Sequence, residues 1–365
     1  MSTMILEIDG QPLDIFTAKR SQTSIEQASG IFNFRATSNV INNFPVKRLA
    51  SCRVLIENEP VLTGFVDSIR ISYNSENHII DIKGRDKTSI LIDSSVLGDL
   101  SFNTPISLQQ IVEKVISRLG ADIDIVNNVP GLSTFKNQVV AEISESAFGF
   151  IERHCRKKQI LLTTNGNGDV VLTRASKTTI RTKLLNQKGN FENNVLSSIA
   201  VYDDSERYFS YSAKGQALGG DDIPNANQTD KTGGPVFDTF VRSFNPKLDA
   251  RRLILQMEEE TDIESARDRA IWEANIRRAR AITYSCIVQG FFHKDGLWKI
   301  NTLVNVIDDY ANIKSDMLVK SVEYKENEDG TFTNLELVSP DAYTLQASRE
   351  KKDALINEIG EDFVL

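Results

Sequence analysis

Apolar and polar residues alternate with a period of two through the first ninety positions. Ile5, Leu6 and Ile8 open the pattern, Ile31-Phe-Asn-Phe34 continues it, and Val54-Leu-Ile56 and Gly64-Phe-Val66 follow. Ile69 and Ile71 then alternate with polar neighbours, Asn74-Ser-Glu-Asn77 has turn chemistry, and Ile80 and Ile82 resume. Period two between turn residues predicts five or six short strands, the content of a small barrel or sandwich.

The period changes near Val96. Ser107-Leu-Gln-Gln110 has capping-box spacing. Leu108, Ile111, Val112, Val115, Ile116 and Leu119 form one helical stripe that Gly120 ends. Ile123-Asp-Ile-Val126 reads as a short strand. A second helix is expected from about Glu145 to Lys157, burying Phe148, Ile151 and Cys155. Ile160-Leu-Leu162 and Val170-Val-Leu172 flank Thr164-Asn-Gly-Asn-Gly-Asp169, which has the residues of a hairpin turn. This stretch predicts an α+β unit.

Strand patterns return between Phe191 and Tyr211. Residues 214–236 carry Gly219-Gly220, Pro224 and Gly233-Gly234-Pro235, and are expected to form a long mobile loop. Phe240 to Leu255 reads as a strand leading into a helix. Glu264 to Ala281 is an Ala- and Arg-rich helix, with Ala266, Ala270 and Ala274 on one face and Trp272 and Ile276 on another. A strand from Ile282 to Gln289, a turn at Lys294-Asp295-Gly296 and a strand ending at Ile307 follow. Leu318–Val322, Tyr324, the turn Glu328-Asp-Gly330 and Leu335-Glu-Leu337 complete the β pattern. The last stretch, Thr344 to Leu365, is charged in the middle and apolar at its end, as a docking helix or arm would be.

The two β regions echo each other. Phe65-Val-Asp-Ser-Ile69 matches Leu318-Val-Lys-Ser-Val322, and Ile80-Asp-Ile-Lys-Gly-Arg-Asp86 falls on Leu335-Glu-Leu-Val-Ser-Pro-Asp341 after a two-residue shift. A duplication of one β domain is the expectation this raises.

Composition narrows the function classes. A chain of 365 residues divides into several domains, and 40% apolar with 25% charged residues is the balance of a soluble globular protein. No run of about 18 apolar residues is present, and the first residues lack the charge and apolar core of a secretory signal. Cys52, Cys155 and Cys286 are odd in number and far apart, which points to three reduced, buried thiols. The net charge of −8 argues against tight binding of nucleic acid and suits a surface past which DNA slides.

No catalytic constellation is visible. His78 and His293 sit at turns and are expected to be solvated, and His154-Cys155 cannot aim both side chains at one metal from a helix. No metal-binding Cys or His spacing, nucleophile elbow or P-loop occurs. The paired acids Asp203-Asp204, Asp221-Asp222, Glu258-Glu-Glu260 and Asp308-Asp309 read as solvated surface. No metal, cofactor or catalytic residue is expected, and the chain reads as a non-enzyme. A peptidoglycan hydrolase and a carbohydrate-binding β protein remain the rival classes.

The helical string Arg267-Asp-Arg-Ala-Ile-Trp-Glu-Ala-Asn-Ile-Arg-Arg-Ala-Arg-Ala281, followed by Asp295-Gly-Leu-Trp-Lys-Ile-Asn-Thr-Leu-Val-Asn-Val-Ile-Asp308, resembles the tail proteins of Mu-like phages and prophages that form the baseplate hub of a contractile tail. Gly84-Arg-Asp-Lys-Thr-Ser-Ile-Leu-Ile-Asp-Ser-Ser95 is similar to the motif that closes the first barrel of that family. The resemblance runs from about Met4 to Tyr343 and extends to the T4-type hub. It implies a mixed, mainly β fold with two similar small β-barrel-like domains bracketing an α+β domain. The expected divisions are 1–96, 97–183, 184–343 (with the loop 214–236 and the Arg-rich helix 263–281) and an arm at 344–365.

The resemblance also implies a homotrimer that adapts the hexameric tail tube to the trimeric central spike. Other baseplate proteins would be further partners, and DNA would pass through the channel without tight binding. The protein would be made in the host bacterial cytoplasm and built into the virion, with no membrane anchor. Another structural part of a tail or injection system is the nearest alternative. Glu264, Asp268 and Glu273 have the spacing to pair with Arg267, Arg269, Arg277 and Arg278, the ordinary solvated reading of such a helix. Trp272, Arg267, Arg277, Arg278 and Arg280, with the barrel edge strands, are the candidate subunit contacts, and Trp272 is equally readable as a core residue. Acidic loop residues are candidates for the channel wall.

Overall fold

The computed structural model describes residues 3–13, 15–37, 46–74, 78–96, 101–132, 134–135, 139–158, 160–216, 230–232, 234–256 and 263–343. Two compact units share the chain: Met1–Ile199 with Tyr284–Leu337, and Ala200–Thr283 with Val338–Leu365.

The first unit is built on a sheet of thirteen strands. Its N-terminal part runs Met4–Ile8, Gln11–Leu13, Ala18–Ser24, Ile31–Thr37, Ser51–Ile56, Glu59–Tyr73 and His78–Asp86. Alternation puts Leu6, Phe34, Val54, Leu62, Val66 and Ile82 on the buried face. The later strands are Leu184–Asn186, Val195–Tyr202, Ile282–Gln289, Leu303–Asp308, Ile313–Asn327 and Gly330–Val338.

The strand order recurs. In the first region the neighbours across the sheet are Ala18–Ser24, Ile31–Thr37, His78–Asp86, Glu59–Tyr73 and Ser51–Ile56. In the second they are Val195–Tyr202, Ile282–Gln289, Gly330–Val338, Ile313–Asn327 and Leu303–Asp308. The meanders also match in length, with strands of 6, 15 and 9 residues in each region. Ser51 faces Phe65 and Leu303 faces Leu318, so the register sets Phe65 and Leu318 at one place in the meander. The flanking strands differ: Met4–Ile8 is antiparallel to its neighbour, and Leu184–Asn186 is parallel.

No closed barrel forms among the described residues, which departs from the barrel-like expectation. The two regions instead share one open sheet. The 15-residue strand Ile313–Asn327 is long enough to serve both: its first half pairs with Leu303–Asp308, and its second half, Ser321–Glu326, pairs with Lys19–Ser24. Glu326 fastens this seam by accepting from Lys19 Nζ at 2.8 Å and from the Met4 amide at 2.6 Å.

The helical stripe after residue 96 folds as its spacing predicts. Leu108–Leu119 starts at a complete Ser107/Gln110 capping box and ends at Gly120, whose φ of 65° is left-handed. Ala147–Lys157 is capped by Ser146, and Phe150 rather than Phe148 is its buried aromatic. Ala147, Phe150, Ile151 and Cys155 make the inward stripe, and Phe148 packs partly buried at its margin. Leu161–Thr164 and Val170–Thr173 form the expected hairpin, and Ile125–Asn127 joins it in parallel. The hairpin turn lies close against the first β region. Thr63 Oγ1 donates to the Gly166 carbonyl at 2.9 Å, and a Cβ at Gly166 would stand 1.9 Å from the Pro60 carbonyl oxygen.

The second unit holds a small sheet centred on Ser210–Gln216. Arg252–Gln256 pairs with it in parallel, and Asp230–Thr232 and Val236–Phe237 pair antiparallel. The stretch expected as a mobile loop therefore contains strand at both ends, and residues 217–229 and 233 lie outside the described set. The reading of Phe240–Leu255 is reversed: helix Thr239–Phe244 comes first, then a 3₁₀ turn Pro246–Ala250, then the strand. Asp238 caps that helix by accepting from the Phe240 amide, and Pro246 fits the first turn of the next element. The turn expected at Asn74–Asn77 and the arm at 344–365 lie wholly or mostly outside the described residues.

Candidate subunit interface

Ile263–Arg280 is the expected helix, and it packs on the Ser210–Gln216 strand and on the 3₁₀ turn Pro340–Tyr343. Ala266 and Ala270 are fully buried, with Ile276 and Ala279 almost so. Small side chains there let the helix axis come close to the sheet. Arg277, Arg278 and Arg280 occupy its last turn, where positive charge offsets the carbonyl end of the helix dipole.

Much of the arginine is used inside the unit. Glu273 accepts from Arg269 Nη1 and from Arg277 Nε, both at 2.8 Å and both one turn away. Arg277 also reaches the Glu206 carboxylate and lies over the Tyr208 ring. Burial alone would lower the affinity of Arg277 for its proton, but its bonds to Glu273 and Glu206 outweigh this and raise it. Arg269 stacks 4.3 Å above the half-buried Trp272, which covers part of the indole face within the unit. Arg267 and Arg280 are exposed and Arg278 is half-buried. The side chains of Glu264 and Asp268 lie outside the description.

Sequence reasoning passed over Arg207. It is buried, pairs with Asp204 at 2.9 Å and with Asp238 at 2.8 Å, and lies 4.1 Å from the centre of the Phe240 ring. The i,i+3 spacing to Asp204 was available in the chain; the longer step to Asp238 needs the fold. Near these residues in the chain, Phe237, Phe244 and Ile254 are exposed.

In the first unit the sheet has a polar face. Register places Arg20, Asn33, Lys83 and Ser68 in one cross-strand row, and Arg35, Asp81 and Arg70 in the next. Arg35 donates to Asp81 at 2.8 Å, and Arg20 pairs with Glu323 across the seam. Positive side chains on this face are thus partly neutralised by neighbours.

Three expectations about single residues need correction. His293 is not solvated, since its ring is covered by Trp298 at 4.7 Å and burial lowers its pKa. His78 is half-buried at the start of a strand, against the Tyr73 ring. Asp308 is not surface: it is buried and accepts from Tyr284 Oη (2.7 Å), Ser198 Oγ, Asn186 Nδ2 and the amides of Tyr310 and Ala311. All three cysteines are free and buried, with the Cys52 and Cys286 thiols pushed up to about 12 by burial. Among the described residues no three His, Cys, Asp or Glu side chains are placed to hold a metal ion, and no helix is long and apolar enough to cross a membrane.

Family models match three stretches of the chain. Residues 3–86 match the N-terminal domain described as Mu phage baseplate assembly protein GpP-like, 88–174 the second domain of baseplate hub protein gp44-like, and 262–346 the fourth domain of Mu phage baseplate assembly protein GpP. The chain is 26% identical to baseplate hub protein gp44 of Escherichia phage Mu over 362 residues, 96% of this chain and 92% of that one. Among solved structures, the 43 kDa tail protein of prophage MuSo2 from Shewanella oneidensis superposes with a TM-score of 0.80 at 27% identity, covering 94% of this chain and 99% of that. The tail protein from Neisseria meningitidis shares the fold at 17% identity, with a TM-score of 0.76 over 93% and 99% of the two chains. With three of its domains matched in order and a full-length relative of the same kind, the chain belongs to the baseplate hub proteins of Mu-like phage tails.

Proposed function

We propose that the protein works as a homotrimer that joins the hexameric tail tube to a trimeric central spike and encloses part of the channel through which DNA passes. The observation that carries this reading is the recurrence of five strands in one order, with meander strands of equal length. Three chains with two such regions make six similar units, which can meet a six-fold tube on one side and a three-fold partner on the other. On this reading the first tube-like domain is 1–96, the α+β domain is 97–183, and the second tube-like domain follows, with 200–283 inserted between two of its strands. Closure into barrel-like rings belongs to the assembled trimer. The polar sheet face around Arg35, Asp81 and Lys83 faces the channel, where paired charges keep the DNA backbone from sticking. Trp272, Arg267, Arg277, Arg278 and Arg280 on the Arg-rich helix are the residues for contact with neighbouring subunits.

The work is mechanical, without a catalytic residue, metal or cofactor. Synthesis takes place in the bacterial cytoplasm, in keeping with three free thiols, and the product is built into the virion. Light scattering on the purified chain tests the central claim. A mass of three chains, and binding of that species to tail tube protein, are expected; a monomer at every concentration would remove the symmetry argument.

A further inference from the structure

The sheet of the second unit has a covered face and a bare one. Tyr211 and Ala213, on its central strand, are fully buried, as the packing of helix Ile263–Arg280 on that strand requires. The residues between them face the other way. Ser210 stands level with Phe237 on one neighbouring strand and with Arg252 on the other, and Ser212 stands level with Ile254. The two serines form the floor of a shallow trough, with Phe237 on one rim and Arg252 and Ile254 on the other. Phe237 is 54% exposed and Ile254 63%. Two strand spacings separate the rims, about 10 Å, the width that takes one extended chain.

Charge on this face has one sign. Arg252 and Lys214 are exposed, and neither has a carboxylate partner among the described residues. Arg242 lies near the Phe237 rim: its guanidinium is 5.9 Å from the centre of the Phe209 ring, which is itself 5.2 Å from that of Phe237. The rows across the face hold Phe237, Ser210 and Arg252, then Ser212 and Ile254, then Thr232, Lys214 and Gln256, without one acid. A ligand that fits brings negative charge next to large apolar side chains in an extended segment.

The chain carries such a segment outside the described residues. Glu358-Ile-Gly-Glu-Asp-Phe-Val-Leu365 combines three acids with Ile359, Phe363, Val364 and Leu365 and has no cation. The acids at 221–222 and 258–260 also lie outside the described residues, but no comparable apolar run accompanies them. Residues 338–365 belong to the same compact unit as the trough. The stretch 344–357 reaches about 46 Å when extended. That exceeds the diameter, roughly 35 Å, of a unit of about 110 residues.

We propose that this face is a binding site for an acidic, apolar peptide, and that residues 358–365 of the same chain occupy it. The apolar end lies between Phe237 and Ile254, and Glu361 and Asp362 pair with the arginines at the rims. The site is on the far side of the sheet from the Arg-rich helix, so it leaves that helix free for other contacts.

Disulfide trapping in the full-length chain tests the contact. Ile254→Cys is combined in turn with Glu361→Cys, Phe363→Cys, Val364→Cys and Leu365→Cys, and with Ile223→Cys to represent the stretch 217–229 as a rival occupant. A disulfide needs Cα atoms within about 7 Å, so closure reports contact. At least one arm pair is expected to close within a single chain, at a rate independent of protein concentration, read from the mass of the linked tryptic fragments. Arg252→Glu, at an exposed position, is expected to slow that closure tenfold or more. Salt at about 1 M, where the Debye length is about 3 Å, should slow it in the parent background too. No closure from any arm pair overturns the proposal, whether the thiol at position 254 is open to maleimide or shielded by another occupant. Closure with Ile223→Cys alone, or closure that yields only multi-chain species, overturns it as well. So does closure at full rate in Arg252→Glu, since the arm would then lie on apolar surface without charge recognition. Light scattering reads the homotrimer separately, so the failure of one leaves the other standing.

Discussion

Two buried aspartates show how neighbours decide the sign of a charge's contribution. Asp86 accepts from Ser29 Oγ and the Gly30 amide, each at 2.7 Å, yet burial dominates and its pKa is raised. Burial pushes Asp308 the same way, but its donors, with the Ala311 amide first, prevail and its pKa is lowered. A carboxylate with a lowered folded pKa stabilises the fold above its unfolded value of about 3.9, and that stability drains away as pH falls through the folded value. Asp308→Asn is therefore expected to cost about 2 kcal/mol at pH 7, because hydrogen bonds to a charged group are lost and an amide donor faces the Tyr284 hydroxyl. Urea unfolding at pH 7 and pH 3 checks it: the gap between parent and variant should shrink at the lower pH.

Local chemistry made some elements readable and left others hidden. The Ser107/Gln110 capping box, the stop at Gly120 and the alternation of Ile282–Gln289 all act within a few residues, and the pattern located each of them. Phe240–Leu255 was misread because its short helix depends on the Asp238 cap and on Pro246, signals that outweigh an ambiguous apolar pattern. The Asp308 site was invisible because its donors come from three segments, around Asn186, Ser198 and Tyr284. The interface candidates were half legible: spacing showed that Glu273 could pair with Arg269 and Arg277, but not that Arg277 would also reach Glu206. The approach of the hairpin turn to Pro60 was equally non-local, and it defines a test at the scale of elements. Gly166→Ala should destabilise the first unit by about 1–3 kcal/mol, since a methyl group cannot share space with a backbone carbonyl. A fall in thermal midpoint with an unchanged Ser107 cap region in hydrogen exchange would locate the damage at that turn.

For the molecule as a whole, charge and architecture point the same way. A net charge of −8, with the sheet-face cations partly paired, leaves little to hold phosphates. Of the acids predicted as surface pairs, Asp308 is tied up and Asp203, Asp204 and Asp309 are exposed, while Asp221-Asp222 and Glu258-Glu-Glu260 lie outside the described residues. None of the four described ones stands in an apolar pocket with a partner carboxylate. Purified protein is accordingly expected to leave peptidoglycan undigested in a zymogram and in a turbidity assay. Clearing of the cell walls would bring back the hydrolase reading.

The seam between Lys19–Ser24 and Ser321–Glu326 also sets a clock on biosynthesis. Its partners lie about 300 residues apart, so at 5–20 residues per second the ribosome needs roughly 15–60 s to deliver the second after the first. Through that interval the nascent N-terminal region carries a strand edge whose partner has not yet been made. On a polysome, neighbouring nascent chains can offer that edge a wrong partner before the right one exists. Yield of native protein should thus depend on how quickly the strand Ser321–Glu326 follows Lys19–Ser24 out of the ribosome, and on chaperones that shield an edge instead of a core.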